Sequence, residues 1–222
     1  MKELGNFYKP NEIKALYEEV VPVYQTAFAG DPWFEASKCV DNSSMQRCAG
    51  GFSSLAVGIT CEMCGNCPLN SAYEKGELID KFEMIANTRP TAWYMESGEM
   101  GATLFALAWV ETPRKIAEER YPDVPDMTSW MVQKLGTDPI MWLDEVFADR
   151  IKKPRGNLQN FSEMCRGLAR QLQVDRLAYR TIAAQMVIAP VRDFGEQARV
   201  YKRNIEVPDR RDFVVINLGG EK

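Results

Sequence analysis

From Thr91 to Asn217 the chain alternates between short apolar runs and amphipathic segments, a pattern that a sheet flanked by helices satisfies. Thr91 to Met95 and Ala102 to Val110, separated by Ser97-Gly98-Glu99, read as a hairpin. Pro113 suits the first turn of a helix through Arg120, and Asp126 is placed to cap another through Leu135. A strand over Ile140 to Ala148 follows, then a basic loop and a helix over Leu158 to Leu172. The end reads as a strand over Arg176 to Thr181, a helix over Ala184 to Val191, and a hairpin. The hairpin strands are Gln197 to Glu206 and Asp212 to Asn217, turned at Pro208-Asp209-Arg210. The class is therefore α/β or α+β with a mixed sheet.

The first half is simpler. Ile13, Leu16, Tyr17, Val20, Val21, Tyr24 and Phe28 recur at helical spacing, with Pro22 expected to kink the helix. Ser71 to Ile85 is a second amphipathic helix. Between them, residues 31–69 are rich in Gly, Ser and Cys and follow neither period. The expectation is one domain spanning residues 1–222, with 31–69 as an insertion.

The 222 residues include no histidine. Ser-His-Asp hydrolysis, Cys-His proteolysis and His-ligated metals are excluded, so acid–base chemistry falls to carboxylates, Tyr, Cys, Lys or water. With 27 Lys and Arg against 31 Asp and Glu, no global charge attracts nucleic acid or anionic lipid. The N-terminal segment lacks the apolar core of a signal peptide, and no run is long and apolar enough for a membrane span. The expected location is cytoplasmic, without a membrane partner.

Thiols remain reduced in that compartment, so Cys39, Cys48, Cys61, Cys64 and Cys67 read first as a metal site. The C-x-x-C-x-x-C run from Cys61 suits a knuckle, with Gly65 freeing the turn. Cys39, Cys48, Cys61 and Cys64 are the expected zinc ligands, with Cys67 in place of Cys61 or Cys64 left open. Redox thiols and an iron–sulfur cluster are the alternatives. An insertion this poor in large apolar side chains gains folding energy from a structural metal. Cys165, beside Met164 and Leu168, reads as a small buried hydrophobe.

Arg150, Lys152, Lys153, Arg155 and Gly156 lie between the Ile140 strand and the following helix, whose free N–H groups and dipole favour an anion. A solvated basic loop is the plainer alternative. Trp93, Trp109, Trp130 and Trp142 fall in strand and helix patterns and read as core.

The order of elements, with LDEVFAD before Arg155-Gly156 and the segments YRTIAAQMVIAPVRDFG and VPDRRDFVVINL, resembles the GCN5-related N-acetyltransferase (GNAT) superfamily. The resemblance implies a mixed, mostly antiparallel central sheet flanked by helices. It implies an acyl-CoA (acetyl-CoA) cofactor and an N-acyltransferase acting on a small-molecule or protein amine, with a homodimer admitted. Implied coenzyme-binding positions are Val146, Phe147, Arg150, Lys152, Lys153, Arg155, Gly156, Asn157, Leu158 and Asn160. Leu158 and Asn160 replace glycines of the family's pyrophosphate loop, which leaves a second reading, a non-catalytic GNAT-fold adaptor docking a partner through its zinc insertion. Glu145 is the implied base, with Asp144 expected on the opposite face by strand alternation. Tyr201, with Tyr179 as the neighbouring choice, is the implied acid for the leaving thiolate.

Overall fold

The computed structural model describes residues 4–29, 37–39, 69–71, 73–98, 101–148 and 160–219. In chain order the elements are β1 (Leu4–Tyr8), α1 (Pro10–Ile13), α2 (Tyr17–Ala29), β2 (Ser37–Cys39), β3 (Leu69–Ser71), α3 (Lys75–Thr88) and β4 (Thr91–Gly98). They continue with β5 (Gly101–Glu111), α4 (Pro113–Arg120), α5 (Met127–Leu135), β6 (Ile140–Ala148) and α6 (Phe161–Leu172). Last come β7 (Arg176–Thr181), α7 (Ala184–Phe194), β8 (Ala198–Tyr201) and β9 (Asp212–Asn217).

Seven strands form one sheet in the order β1-β4-β5-β6-β7-β9-β8, with β2 and β3 paired separately. Every neighbouring pair in the large sheet is antiparallel except β6 and β7, which run parallel because α6 carries the chain across between them.

Both faces of the sheet are covered, which is why its strands read as apolar runs. On one face, Tyr24, Phe82, Ile116 and Met131 from α2 to α5 pack on Trp93, Phe105, Trp109 and Trp142. On the other, Met164, Cys165 and Leu168 of α6 and Ala189 of α7 pack on Tyr94, Ala106, Leu143 and Val214. Trp93 and Trp109 are fully buried, and so is Cys165, as a core reading requires. Trp130 is partly buried and donates from its indole to the Glu206 carbonyl at 2.7 Å.

Four local expectations change. The first helix breaks into a 3-10 turn at Lys14–Leu16, ahead of α2, which contains Pro22. Asp126 begins α5 in a left-handed conformation (φ 68°) and makes no side-chain cap. The return strand expected from Gln197 to Glu206 forms only over Ala198–Tyr201, and the chain turns irregularly before β9. β1 also forms, on the outer edge of β4, where the sequence carries no strand period.

Among the described residues no helix is long and apolar enough to cross a membrane.

Candidate active site

The site begins with an irregularity in β6. Leu107 pairs with Glu145 and Ala108 with Leu143, so Asp144 is an extra residue opposite β5, a β-bulge. Before the bulge, Met141 and Leu143 belong to the core under α6, and Trp142 to the core under α2 to α5. Across it the alternation slips. Asp144 accepts hydrogen bonds from Trp142 Nε1 at 3.2 Å and Arg120 Nη2 at 2.5 Å. Glu145 accepts one from the Tyr24 hydroxyl at 3.2 Å and pairs with Lys81. Trp142, Arg120, Tyr24 and Lys81 all belong to the α2–α4 side of the sheet, so both carboxylates lie on it. The expectation that strand alternation separates them is corrected by the bulge.

Beside the bulge the sheet opens. β6 and β7 pair only through Met141 with Leu177 and Trp142 with Ala178. Beyond that point the strands part around a cleft of about 290 Å³, lined by Leu143 to Val146 on one side and Tyr179 to Thr181 on the other. The edge of β6 that turns from β5 thus leaves the ladder where Asp144, Glu145 and Val146 line the cavity.

The Glu145 side chain is 12% exposed. Burial pushes its carboxyl above the ordinary carboxylate range; Lys81 pulls it back, and Asp144 adds to the rise. Lys81 Nζ also reaches the Tyr24 hydroxyl at 3.3 Å, closing a triangle of ammonium, phenol and carboxylate. Tyr24 is positioned by edge-on contacts with Phe147 at 4.9 Å and Tyr73 at 5.1 Å. Val146 lines the cleft, whereas the Phe147 ring packs into the core against Phe105 at 4.8 Å.

Across the cleft, β7 contributes Tyr179, whose hydroxyl donates to the Met186 carbonyl at 2.5 Å. Burial drives this phenol well above its ordinary range, so it stays protonated. Tyr201 lies elsewhere. It is 5% exposed and packs edge-on against Trp130 at 5.1 Å, outside the residues that line the cleft.

Asn160 stands at the N-terminus of α6 and makes no side-chain cap; its amide points instead to Glu96 Oε1 at 3.4 Å. Glu96, 3% exposed, also accepts from the Tyr94 hydroxyl at 2.9 Å. Glu163 sits in the first turn of the helix. Two carboxylates therefore gather where the helix dipole favours negative charge. Arg150, Lys152, Lys153, Arg155, Gly156, Asn157 and Leu158 lie outside the described residues, as do Cys48, Cys61, Cys64 and Cys67. The backbone of Cys39 is described in β2, paired with Leu69 of β3, but its side chain is not. Among the described residues no group of three or more Cys, Asp or Glu side chains is placed to hold a metal.

Sequence reasoning missed Lys81, Tyr24, Arg120 and Arg180 as cleft residues. One of them left a signal: Lys81 stands three residues after Leu78 and four before Ile85, a cation in the apolar stripe of α3. Tyr24 fits its own stripe and reads simply as core.

No family model matches the chain, and no curated protein matches it. Solved structures do match. The mosquito arylalkylamine N-acetyltransferase like 5b superposes with a TM-score of 0.54 at 9% identity, over 98% of this chain and 100% of that one. The polyamine N-acetyltransferase of Drosophila melanogaster, which forms N-acetylagmatine, gives 0.52 at 10% identity, again over 98% and 100%. Arylalkylamine N-acetyltransferase 2 of Aedes aegypti gives 0.50 at 11% identity, over 97% and 99%. With the seven-stranded sheet and its single parallel pair, these likenesses give the chain the fold of the GCN5-related N-acetyltransferases.

Proposed function

We propose that the protein is an acyl-CoA-dependent N-acyltransferase acting on an amine, with Glu145 as its base. The observation that carries this reading is the parting of β6 and β7 beside a bulge that turns Glu145 into the cleft. Bound there, acyl-CoA supplies an acyl group activated as a thioester. Two features fit such a ligand: the β6 edge that has left the ladder, and the start of α6 without a side-chain cap.

The chain's own groups then have distinct tasks. Glu145, held by Lys81 and Tyr24, takes a proton from the substrate ammonium, so that the free amine attacks the thioester carbonyl, the C–N bond forming as the C–S bond breaks and the thiolate leaves; its raised affinity for protons makes Glu145 a stronger base than an ordinary carboxylate. Backbone N–H groups near Val146 and Phe147 meet the charge that develops on the carbonyl oxygen. Tyr179, protonated and lining the cleft, is the proposed acid for the departing thiolate, its hydroxyl turning from the Met186 carbonyl to donate; Tyr201, packed against Trp130, does not line the cleft. Arg150, Lys152, Lys153, Arg155, Gly156, Asn157, Leu158 and Asn160 are the proposed pyrophosphate-binding stretch.

The same proposal treats residues 31–69 as an insertion in a single domain, with Cys39, Cys48, Cys61 and Cys64 around a structural zinc and Cys67 as the substitute. Support comes from the donor set and from the β2–β3 ladder, which joins the ends of the insertion at Cys39 and Leu69. Metal analysis of the purified chain is expected to find stoichiometric zinc, lost in Cys61→Ser; a metal-free folded chain rejects the site.

Steady-state assays with acetyl-CoA and a panel of amines, read by thiol release, test the activity. Glu145→Gln is expected to lower kcat/KM roughly 10²- to 10⁴-fold while leaving the KM for acetyl-CoA nearly unchanged. Turnover equal to the parent's rejects the assignment.

A second reading, a GNAT-fold protein that binds a partner without catalysis, is favoured by Glu96 and Glu163 at the start of α6. Carboxylates there compete with a pyrophosphate for the helix dipole. It predicts no coenzyme binding.

A further inference from the structure

We infer that Lys81 is a self-acylation site: with no acceptor in the cleft, its amine takes the acyl group from acyl-CoA, and the modified site is silenced. This rests on the acyl-transfer reading of the same cleft. Lys81 stands in α3 beside Leu78, Phe82 and Ile85, the buried stripe that packs on the sheet. Among the described residues that line the cleft it is the one lysine. Its Nζ is held at a fixed place: it pairs with Glu145, reaches the Tyr24 hydroxyl at 3.3 Å and lies 5.4 Å from the centroid of the Tyr24 ring. The side chain is 30% exposed, so the core does not seal it off from the cavity.

An acceptor ammonium must come within hydrogen-bond reach of the base that deprotonates it. Lys81 meets that requirement before any substrate arrives, at the Glu145 oxygen that Tyr24 also touches. The pairing that holds the lysine as an ammonium is also its route to the free amine. Once Glu145 has taken one proton, the Lys81 amine attacks the thioester carbonyl. The C–N bond forms, the C–S bond breaks, and the second nitrogen proton passes to the departing sulfur. The products are an N-acyl lysine, free coenzyme A and a protonated Glu145, which returns its proton to water. Holding amine and thioester together in a cavity of about 290 Å³ gives this lysine an advantage that a surface lysine lacks. Modification exchanges the ammonium for a neutral amide. Of the described groups around Glu145, Asp144, Arg120 and the Tyr24 hydroxyl then remain, and the acyl group fills room that an acceptor needs.

Residue-resolved mass spectrometry of the 222-residue chain, incubated with acetyl-CoA and no amine, tests this. Uncatalysed acetylation follows exposure and favours Lys115 and Lys202, whose side chains are 61% and 53% exposed. The expected result is the reverse: Lys81 is acetylated at least about 10-fold faster than either, at a rate independent of chain concentration. Excess coenzyme A is expected to suppress modification of Lys81 and to leave Lys115 unchanged. Glu145→Gln is expected to slow Lys81 alone, by about 10-fold or more; if that variant does not fold, the coenzyme A competition in the parent makes the same comparison. Turnover of amines is expected to fall in proportion to the fraction of chains acetylated at Lys81.

Acetylation of Lys81 no faster than that of Lys115 overturns the inference. So does acetylation that excess coenzyme A does not suppress, which assigns it to solution chemistry, and so does parental turnover by a chain fully acetylated at Lys81. Saturable coenzyme A binding by calorimetry beside an unmodified Lys81 overturns self-acylation and leaves the transferase reading standing. Absence of both coenzyme A binding and modification removes the two together.

Discussion

Glu145 is governed by a contest between burial and Lys81, and burial prevails. The neutral acid is thus favoured by folding, and ionising Glu145 costs stability as pH rises from the ordinary carboxylate range through its folded pKa. Catalysis needs the ionised form. The acid limb of kcat/KM is therefore expected above the range of an exposed glutamate, about 4.3, with activity falling as pH drops through it. Lys81→Met removes the larger of the two charges, Lys81 and Arg120, that favour the anion among the described residues, and is expected to move the limb to higher pH. A limb that stays in place in this variant means that Glu145 is not the base. Tyr24 is a positioning residue in this scheme, touching the carboxylate while its ring is fixed by Phe147 and Tyr73.

At the scale of elements, β1 and α6 meet through a glycine. A Cβ built on Gly167 falls 1.9 Å from Cζ of Phe7, whose ring also packs against Tyr94 at 5.0 Å. A mid-helix glycine ordinarily costs about 1 kcal/mol against alanine, so Gly167→Ala would be stabilising on propensity alone. Displacing Phe7 reverses the sign. Urea denaturation is expected to show the variant less stable by about 1–3 kcal/mol, and a more stable variant rejects the packing account. This contact was not legible in the sequence, because LGNFY has no strand period and becomes β1 only when the edge of β4 supplies its partners. β6 and β7 match the expected spans because their apolar runs need no such partner to be read. The bulge was illegible for another reason: Asp144 and Glu145 are both polar, so hydrophobic alternation is silent where the register slips. Asp126 reads as a cap by residue type, but a positive φ replaces the side-chain bond.

Across the whole molecule, two cores sandwich one sheet and bury several phenols. Burial first, then the charge of Glu83, pushes Tyr17 up to about 12, and burial raises Tyr94, Tyr121 and Tyr179 as well. Each folded pKa lies above the unfolded value near 10, so their contribution to stability is complete below about pH 10 and is lost as pH rises further. Phenolate absorbance is expected to rise for these residues together with loss of near-UV circular dichroism; ionisation within an intact fold contradicts their burial. The GNAT architecture was legible because it rests on the order of strands and helices, whereas the cleft depends on side chains from α2, α3, α4 and β7 that only folding brings together. The most direct test of the functional account is a calorimetric titration of coenzyme A into the 222-residue chain. Saturable binding at one site per chain, competed by acetyl-CoA, is the predicted result; no detectable heat of binding at millimolar coenzyme A contradicts it.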